Sequence, residues 1–343
     1  MNESKNYLLV VGGMGYIGSN VVVEAIENDY NVIISDNLVN SNLDVLDQIR
    51  LIVKKNSQYR NEIVYEHVDY CDINQIDQLF NKYHISVVIN LAGYKSVPES
   101  IANPTMYYHN NINIVTNLLH VMQKYQCHKF IFSSSATVYG ESNLVPYTET
   151  QSIGNGITNP YGFTKVIIEE LLSNLCQFDA NWSIVSLRYF NPIGCHSSGY
   201  LGDSINKPSN LMPVIIKSII DKTKFKIYGA DYQTKDGSAE RDYIHVSDLA
   251  RAHILIIPKI KLGYNVYNVG NGNPISVFNI VNRFETINNV KLDYEIVDRR
   301  PGDLTSYYAD NTKIKNEIGW IPDKSLDNMV EDSYKYIQNI LNL

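Results

Sequence analysis

The stretch YLLVVGGMGYIGSN, residues 7–20, joins a short apolar run to four closely spaced glycines and then to a helical pattern. An apolar run that stops at glycine is typical of a buried strand, and Val22, Ala25 and Ile26 recur at helical spacing further on. The glycines allow a tight turn and a close approach of the backbone to a phosphate, while the helix N-terminus offers N–H groups and a positive dipole end. The sequence therefore predicts a dinucleotide site at the start of the chain.

The glycine spacing and one carboxylate indicate which dinucleotide is bound. Gly12, Gly13, Gly15 and Gly18 fit both G-x-G-x-x-G and G-x-x-G-x-x-G, and Asp36 ends the second apolar run, NVIISD. A carboxylate at that place accepts hydrogen bonds from ribose hydroxyls and repels a 2′-phosphate, which favours NAD over NADP. The alternative is a structural glycine turn with a surface aspartate, but the order and spacing of the motif favour NAD.

Short apolar runs and helical patterns continue to alternate up to about residue 190. The further strand patterns are EIVYEHVD, ISVVINLAG, KFIFSSS and SIVSLRYFN, and helical patterns include INIVTNLLHVMQKYQ and YGFTKVIIEELLSNLCQF. Near-continuous apolar strands that alternate with helices indicate a parallel sheet covered on both faces. We expect an α/β fold: a Rossmann-type doubly wound parallel sheet that binds NAD in residues 1–190, and a smaller C-terminal α/β substrate domain in residues 191–343, some segments of which return to the first domain.

The composition favours a globular enzyme over a nucleic-acid-binding or membrane protein. The chain has 343 residues, of which 44% are hydrophobic and 19% charged, as is ordinary for a globular enzyme. The net charge of −7 argues against a nucleic-acid or membrane-surface partner. No apolar run approaches the roughly 18 residues of a membrane span, and no signal peptide is expected. The 4 cysteines form no C-x-x-C pair, so we expect no metal site and a cytoplasmic location.

A second group of polar residues predicts proton transfer. Tyr161 and Lys165, in NPYGFTK, stand at i and i+4 and share a helix face, and Ser135, in SSSATVYG, ends the fifth strand, where open α/β sheets bind ligands. We expect Lys165 and the positive charge of oxidised nicotinamide to lower the pKa of Tyr161. The phenol then acts as a general base while Ser135 hydrogen-bonds the reacting oxygen. The alternative, a chance Tyr–Lys pair beside a serine loop, is disfavoured by the glycine motif upstream.

Longer blocks carry a resemblance to a known family. They are GGMGYIGSN, DNLVNS, NLAGYKSVPES, FSSSATVYG, NPYGFTK, LRYFNPIG, NLMP, IYGADYQTKDGSAERDYIHVSDLA, YNVGNG, RRPGDL and YYAD. Over nearly its whole length the chain resembles the extended short-chain dehydrogenase/reductases and, within them, the UDP-glucose 4-epimerase family. The resemblance implies reversible epimerisation of UDP-glucose and UDP-galactose at sugar C4 through a 4-keto intermediate, with NAD retained through turnover. It also implies a homodimer formed by the helices within residues 106–125 and 161–178.

The resemblance further implies a set of binding residues. Asp36 and Asn37 would hold the adenosine ribose, and Asp69 with Tyr70 would flank adenine. The cofactor set as a whole is Gly12, Gly15, Tyr16, Ile17, Gly18, Asp36, Asn37, Asp69, Tyr70, Ala92, Lys95, Asn111, Tyr161, Lys165 and Tyr189.

The substrate residues follow from the same resemblance. Ser135, with Thr137 or Ser134, would hold the sugar 4-oxygen. Phe225 and Tyr228 would bracket uracil. Arg241 and Arg300 would grip the pyrophosphate as bidentate cations. Tyr307 would wall the sugar pocket and so favour plain hexoses over N-acetylated ones. The substrate set as a whole is Ser135, Tyr161, Asn191, Asn210, Leu211, Phe225, Tyr228, Arg241, Arg300, Asp303 and Tyr307.

Several other functions share this scaffold. A 4,6-dehydratase would need Asp and Glu where Ala136 and Thr137 stand. A UDP-glucuronate decarboxylase or 4-epimerase would need additional groups for the sugar carboxylate, and a plain reductase would leave Arg241 and Arg300 without a role. A 4-epimerase of N-acetylated UDP-hexoses is the nearest alternative, and a non-catalytic NAD-binding sensor is a further one.

Overall fold

The structure, a computed structural model, describes residues 5–55, 61–141, 144–206, 208, 210–300 and 303–341. The chain forms two compact units. The first consists of Met1–Gly140, Ile153–Arg188 and Ala250–Tyr267, and the second of Glu141–Ser152, Tyr189–Leu249 and Asn268–Leu343. The chain thus passes between the units more than once, and a late segment belongs to the first unit.

The first unit is built on a seven-stranded parallel sheet. Its strands are β1 (Tyr7–Val11), β2 (Asn31–Asp36), β3 (Ile63–His67), β4 (Ile85–Asn90), β5 (Lys129–Ser135), β6 (Ser183–Tyr189) and β10 (Gly263–Val269). The strand order β3-β2-β1-β4-β5-β6-β10 reverses direction between β1 and β4, which is the place where doubly wound sheets bind dinucleotides. The predicted Rossmann-type fold is confirmed.

Helices cover this sheet because its inner strands are apolar on both faces. Strands β1 and β6 are buried along their whole length. The helices numbered here are α1 (Tyr16–Glu27), α2 (Asp44–Lys54), α3 (Ile73–Lys82), α4 (Val97–Ala102), α5 (Pro104–Lys124), α6 (Pro160–Phe178) and α8 (Val246–Ile256). Helix α8 begins in the second unit and continues into the first.

Strand β10 is the one member of this sheet that the sequence analysis did not anticipate. Its residues, GYNVYNV, mix asparagine and glycine with apolar side chains, and only the last three positions are buried. The apolar run that predicts a strand is therefore missing. The strand also follows the substrate segment by many residues, so that its pairing with β6 depends on folding rather than on a nearby turn.

The second unit contains shorter strands. They are β7 (Asn191–Ile193), β8 (Phe225–Tyr228), β9 (Glu240–His245), β11 (Pro274–Ser276), β12 (Tyr294–Val297) and β13 (Ser306–Tyr307). Strand β9 pairs with β7, β11 and β13, and β8 pairs with β12. The helices are α7 (Leu211–Asp221), α9 (Val277–Asn288), α10 (Thr312–Ile318) and α11 (Leu326–Leu341). Side chains from α7, α9 and α11 form a core with Phe225, Ile227 and Tyr243.

Strand β5 should depend strongly on its buried aromatic side chains. Phe130 is 0% exposed, whereas Phe178 at the end of α6 is 83% exposed. We expect Phe130→Ala to lower the free energy of unfolding by about 3–5 kcal/mol through lost burial and a cavity. Phe178→Ala should change it by less than about 0.5 kcal/mol. Urea unfolding followed by circular dichroism measures both, and equal effects would contradict the assigned burial.

Candidate functional site

The glycines after β1 are required for different structural reasons. Gly12 has a φ of +76°, and a β-carbon there would lie 2.8 Å from the backbone nitrogen of Ala92. A β-carbon on Gly18 would lie 2.1 Å from the carbonyl oxygen of Gly12, so only glycine lets α1 approach the end of β1. Gly15 has ordinary dihedral angles, and its β-carbon would meet only one atom, at 3.4 Å. Internal packing therefore explains Gly12 and Gly18, while Gly15 keeps the N-terminus of α1 open to a close ligand.

Asp36 closes the glycine loop against β2. Its carboxylate accepts the backbone N–H groups of Met14 at 3.0 Å and Leu38 at 2.9 Å, and the hydroxyl of Ser41 at 2.9 Å. A carboxylate has about four acceptor positions, so this arrangement leaves room for one more donor, such as a ribose hydroxyl. The donors present in the protein thus orient a side chain that fits the adenosine half of NAD.

Asn111 supports the loop after β4 rather than presenting a free amide. Its side-chain oxygen accepts the N–H of Tyr94 at 2.8 Å, and its NH₂ donates to the Tyr94 carbonyl at 3.1 Å and to Thr164 Oγ1 at 3.2 Å. Thr164 in turn donates to the carbonyl of Tyr161 at 2.7 Å. Asn111 therefore ties the segment that carries Lys95 to the first turn of α6 and acts as a positioning residue.

The remaining cofactor candidates lie at the start of α1, on the loops that follow β2, β3 and β4, or at the end of β6. Asp69 accepts the N–H of Cys71 at 2.9 Å, and Tyr70 is 3% exposed within the apolar core. Lys95 Nζ lies 6.0 Å from the ring centre of Tyr16. Ile17, Asn37 and Ala92 are half-buried, and Tyr189 ends β6.

Ser135, Tyr161 and Lys165 come together at the carboxyl end of β5. Asn159 caps α6 by accepting the N–H of Gly162 at 2.8 Å, and this places Tyr161 in the first turn. The Tyr161 hydroxyl is hydrogen-bonded to the Ser135 side chain. Lys165 is 6% exposed, and its Nζ donates to the Ser133 carbonyl at 2.6 Å. The predicted convergence of a hydroxyl, a phenol and an ammonium is therefore present in the fold.

Burial is the main influence on the electrostatics of this group. Burial raises the pKa of Tyr161, and the hydrogen bond from Ser135 opposes this only in part. Burial likewise lowers the pKa of Lys165 to about 8, and the charge of Glu169 opposes that shift. Lys165 Nζ lies 5.7 Å from the Tyr161 ring centre and is bonded to Ser133 instead. Among the protein's own groups burial is therefore the largest influence on the pKa of Tyr161, and the lowering by Lys165 together with the nicotinamide charge stays a prediction.

The two other hydroxyls considered for the sugar 4-oxygen behave differently. Ser134 is 1% exposed and donates its hydroxyl hydrogen to Glu169, so it is committed to a buried carboxylate and does not join Ser135. The expectation for Ser134 was therefore wrong. Thr137 Oγ1 is buried without a hydrogen-bond partner in the described ranges. Of the two hydroxyls, only that of Thr137 can therefore join Ser135 in binding the sugar oxygen.

In the second unit, strand register brings three substrate candidates to one face of a sheet. Tyr307 of β13 is the register partner of Arg241 in β9, and Asn191 of β7 is the partner of Tyr243. Register partners point to the same side of a sheet, as do residues i and i+2 of one strand. Asn191, Arg241 and Tyr307 therefore share one face, although they lie far apart in the sequence.

The cationic candidates have partners within the second unit. Arg241 lies within β9 and pairs with Asp303 at 3.2 Å, while its side chain is 17% exposed. The Arg300 guanidinium lies 3.9 Å from the ring centre of Tyr228. Each arginine thus already contacts another predicted substrate residue, which holds its planar donor group in place.

Phe225 is the clearest correction among the substrate residues. It is 3% exposed and packs against Tyr294 with ring centres 5.7 Å apart, in the core of the second unit. Because side chains alternate along a strand, Phe225 and Tyr228 face opposite sides of β8, and the two rings do not bracket one base. Asn210 precedes α7 and donates to Asp203 at 3.2 Å, and Leu211 is the first residue of that helix.

Two aromatic residues that the sequence analysis missed support Tyr307. Its ring centre lies 4.9 Å from that of Tyr147 and 5.3 Å from that of Phe190. Tyr147 is held by backbone hydrogen bonds, at 2.9 Å to the Tyr308 carbonyl and at 2.8 Å from the Asp310 N–H. The three rings form a wall of the kind expected for a sugar pocket. Phe190 falls in the block LRYFNPIG, which was the available signal, whereas no pattern in the sequence singled out Tyr147.

The described ranges hold neither a metal cluster nor a helix that could span a membrane. No group of three His, Cys, Asp or Glu side chains there is arranged to hold a metal ion. The four cysteines are free thiols. None of the described helices has the length and apolar character that crossing a membrane requires.

Comparisons with known proteins agree with this arrangement. Residues 8–270 match the model of the NAD dependent epimerase/dehydratase family. The chain is 40% identical over 339 residues to the UDP-glucose 4-epimerase of Bacillus subtilis, covering 98% of each chain, and 41% identical over 341 residues to that of Dictyostelium discoideum, covering 98% and 97%. It is also similar to the crystal structure of UDP-glucose 4-epimerase from Bifidobacterium longum in complex with NAD+ and UDP, with a TM-score of 0.91, 39% identity and coverage of 98% and 99%.

The different roles of the glycines can be separated by substitution. Gly15→Ala should fold with a loss of no more than about 1 kcal/mol, because its β-carbon meets little of the protein. It should weaken NAD binding by at least about tenfold, or 1.4 kcal/mol. Gly18→Ala should cost about 3 kcal/mol of stability, because the backbone of α1 must shift. Thermal unfolding and calorimetric titration with NAD separate these effects, and a Gly15→Ala protein with normal NAD affinity would contradict the assignment.

Proposed function

Because the chain belongs to the NAD dependent epimerase/dehydratase family, we propose that it is an isomerase that interconverts UDP-glucose and UDP-galactose by NAD-dependent epimerisation at sugar C4. The observation that carries this proposal is the convergence of Ser135, Tyr161 and Lys165 at the carboxyl end of β5, in a sheet whose first loop fits a dinucleotide. Similarity to UDP-glucose 4-epimerases over nearly the whole chain supports the choice of substrate.

The first unit supplies the residues for NAD. The N-terminus of α1, kept open by Gly15, suits the pyrophosphate, and Asp36 suits the adenosine ribose and disfavours a 2′-phosphate. Lys165 serves the nicotinamide ribose, and Asn111 holds the loop from which Lys95 reaches the cofactor phosphates or ribose. Bound NAD supplies a hydride acceptor and donor for the sugar carbon, so the net reaction needs no second substrate.

Proton transfer falls to the side chains at the end of β5. Tyr161 takes the proton from the sugar 4-hydroxyl and returns it after the ring has presented its other face. Ser135, hydrogen-bonded to the Tyr161 hydroxyl, holds the sugar oxygen and keeps the phenol aimed at it. Lys165 places a positive charge beside the site, where it stabilises the phenolate as that charge develops.

The second unit supplies the residues for the UDP part. Arg241 and Arg300 bind the pyrophosphate, with Asp303 and Tyr228 holding the two guanidinium groups before the substrate arrives. Tyr228 also offers a ring face for uracil, and Asn191 binds the diphosphate or the sugar. Asn210 and Leu211, at the start of α7, complete the nucleotide contacts.

Tyr307 favours plain hexoses as substrates. Its ring is held by Tyr147 and Phe190, so an N-acetyl group at the sugar would have to displace a packed aromatic wall. Epimerisation of N-acetylated UDP-hexoses at C4 is therefore the second candidate function. An assay that contains both kinds of substrate distinguishes it from the first.

We also propose a cytoplasmic homodimer. The free thiols fit a reducing compartment. Helices α5 and α6 pack against each other and still expose apolar side chains, namely Met106 at 37%, Phe163 at 39% and Ile167 at 37%. An exposed apolar patch on two neighbouring helices suits the same patch of a second copy related by a two-fold axis.

The activity can be tested by proton NMR of UDP-galactose with the purified protein and no added NAD, following the anomeric sugar signals. UDP-glucose should appear, and Tyr161→Phe should lower the rate by about 100-fold or more because the proton acceptor is lost.

The second candidate function would be favoured if UDP-galactose stays unchanged, even with added NAD, while UDP-N-acetylgalactosamine is converted. If NAD binds but neither substrate is converted, the result would favour the non-catalytic NAD-binding sensor. Loss of UDP-galactose to another product would indicate a different nucleotide-sugar enzyme.

The dimer can be tested by placing charges on the exposed face of α6. The double variant Phe163→Glu, Ile167→Glu should sediment as a monomer, because four buried carboxylates across the two-fold axis cannot be desolvated without partners. Phe178→Glu, at an exposed position of the same helix, is the control and should stay dimeric. Analytical ultracentrifugation measures this, and a wild-type monomer would contradict the proposal.

A further inference from the structure

A buried ion pair stands behind the serines of β5. The guanidinium of Arg188, on β6, donates from Nη2 to Glu169 Oε2 at 2.6 Å and from Nε to Oε1 at 3.0 Å. Glu169 is 2% exposed and Arg188 4%. The hydroxyl of Ser134 also donates to Oε1 of Glu169. The carboxylate of α6 is thus bonded to two neighbouring strands of the sheet.

The same helix face binds two successive residues of β5. Lys165 and Glu169 stand one helical turn apart, so they share a face of α6. Lys165 holds the carbonyl of Ser133 at 2.6 Å, and Glu169 holds the hydroxyl of Ser134. The next residue along β5 is Ser135, the hydrogen-bond partner of Tyr161.

The ion pair also reaches the turn that follows β5. Arg188 Nη1 donates to the Tyr139 hydroxyl at 2.9 Å, and Tyr139 ends the 3-10 turn Ala136–Tyr139. The segment that carries Ser135 is therefore held before and after that residue by one connected set of charged groups.

A gain in stability alone does not explain why the protein contains a buried ion pair. Removing two charges from water costs much of what their attraction returns, and well-packed apolar residues of similar size often stabilise a protein as well or better. The bonds of this pair are concentrated on the segment beside Ser135 and on the helix face of Lys165. We propose that Glu169 is a positioning residue for the reaction, which fixes Ser133–Ser135 from behind and sets the electrostatic surroundings of Lys165. The proposal rests on the functions assigned above to Ser135, Tyr161 and Lys165.

The surroundings of Lys165 determine the direction of the expected pH effect. The polar and titratable groups near it are Tyr161 and Glu169 on α6, Ser133–Ser135 on β5, Arg188 on β6, Tyr139 after β5 and Tyr264 on β10. Burial lowers the pKa of Lys165 to about 8, and Glu169 opposes this. Without the Glu169 charge the pKa of Lys165 falls further, so the ammonium loses its proton at a lower pH. The alkaline limb of the rate profile should then move to lower pH.

The test replaces the ion pair by apolar residues of similar size. In the double variant Glu169→Leu, Arg188→Met the carboxylate and the guanidinium are removed together, so neither is left buried without the other, and the fold and its unfolding temperature should be retained. We expect kcat for UDP-galactose to fall about tenfold with KM nearly unchanged, and the alkaline limb to move down by about half a pH unit or more. Nitrogen-15 NMR of the lysine side chains, with Lys165 assigned through Lys165→Met, measures the shift of its titration without relying on activity.

Single variants separate positioning from charge. Ser134→Ala removes only one hydrogen bond to Glu169, so kcat should fall severalfold while the titration of Lys165 stays as in the wild type. Ser333→Ala is the matched control: Ser333 is a buried serine on α11 whose hydroxyl donates to the Met329 carbonyl at 2.7 Å, and the change should leave kcat and the pH profile unaltered.

A folded double variant with wild-type kcat and wild-type Lys165 titration would overturn the proposal and make the pair purely structural. If the double variant does not fold, wild-type kcat in Ser134→Ala overturns it, and a severalfold loss at unchanged KM supports it. A wild-type protein that leaves UDP-galactose unchanged contradicts the proposed function instead, and the Lys165 titration then still shows whether Glu169 controls that lysine.

Discussion

The close approach of helix α1 to the end of strand β1 is the constraint on which the rest of the first unit depends. It requires glycine at position 18, where a β-carbon would lie 2.1 Å from the carbonyl oxygen of Gly12. The approach points the N-terminus of α1 at the edge of the sheet where strand order reverses. Asp36 then closes the loop by accepting the Met14 N–H at 3.0 Å. The steric requirement at Gly18 and the hydrogen bond to Asp36 together fix the loop between β1 and α1.

Burial governs the chemistry at the end of β5. It raises the pKa of Tyr161 and lowers that of Lys165, so the protein environment opposes the charged form of both side chains. A phenol that desolvation holds neutral is a weak base, and a positive charge beside it favours the phenolate, which is the stronger base. Ser135 is hydrogen-bonded to Tyr161, and Glu169 lies one helical turn from Lys165, and each of them acts against the effect of burial on its neighbour.

In the second unit, strand pairing determines where the predicted substrate residues lie. Arg241 and Tyr307 are register partners, and Asn191 joins the same face through the pairing of β7 with β9. The three residues have no sequence proximity, and only the hydrogen-bonded register makes them neighbours. The wall behind Tyr307 has the same origin, because Tyr147 is attached by backbone hydrogen bonds to the segment that follows β13.

The sequence was sufficient for features that depend on local order. The strand–glycine–helix unit, six strands of the main sheet, Asp36 and the Ser135, Tyr161 and Lys165 group follow from spacing and periodicity, because these patterns act over one or two neighbouring elements. Three features could not be read in this way. Strand β10 lacks an apolar run, Phe225 turned out to be a core residue on the other face of β8 from Tyr228, and Ser134 is bonded to Glu169.

The reason is the same for all three. The pairing of a strand, the face on which a side chain lies and the dielectric around a charged group depend on residues far away in the chain, which meet only when it folds. Local patterns along this chain identified the chemical groups and their order. Long-range contacts selected which of those groups face a ligand, and burial set the protonation that each of them prefers.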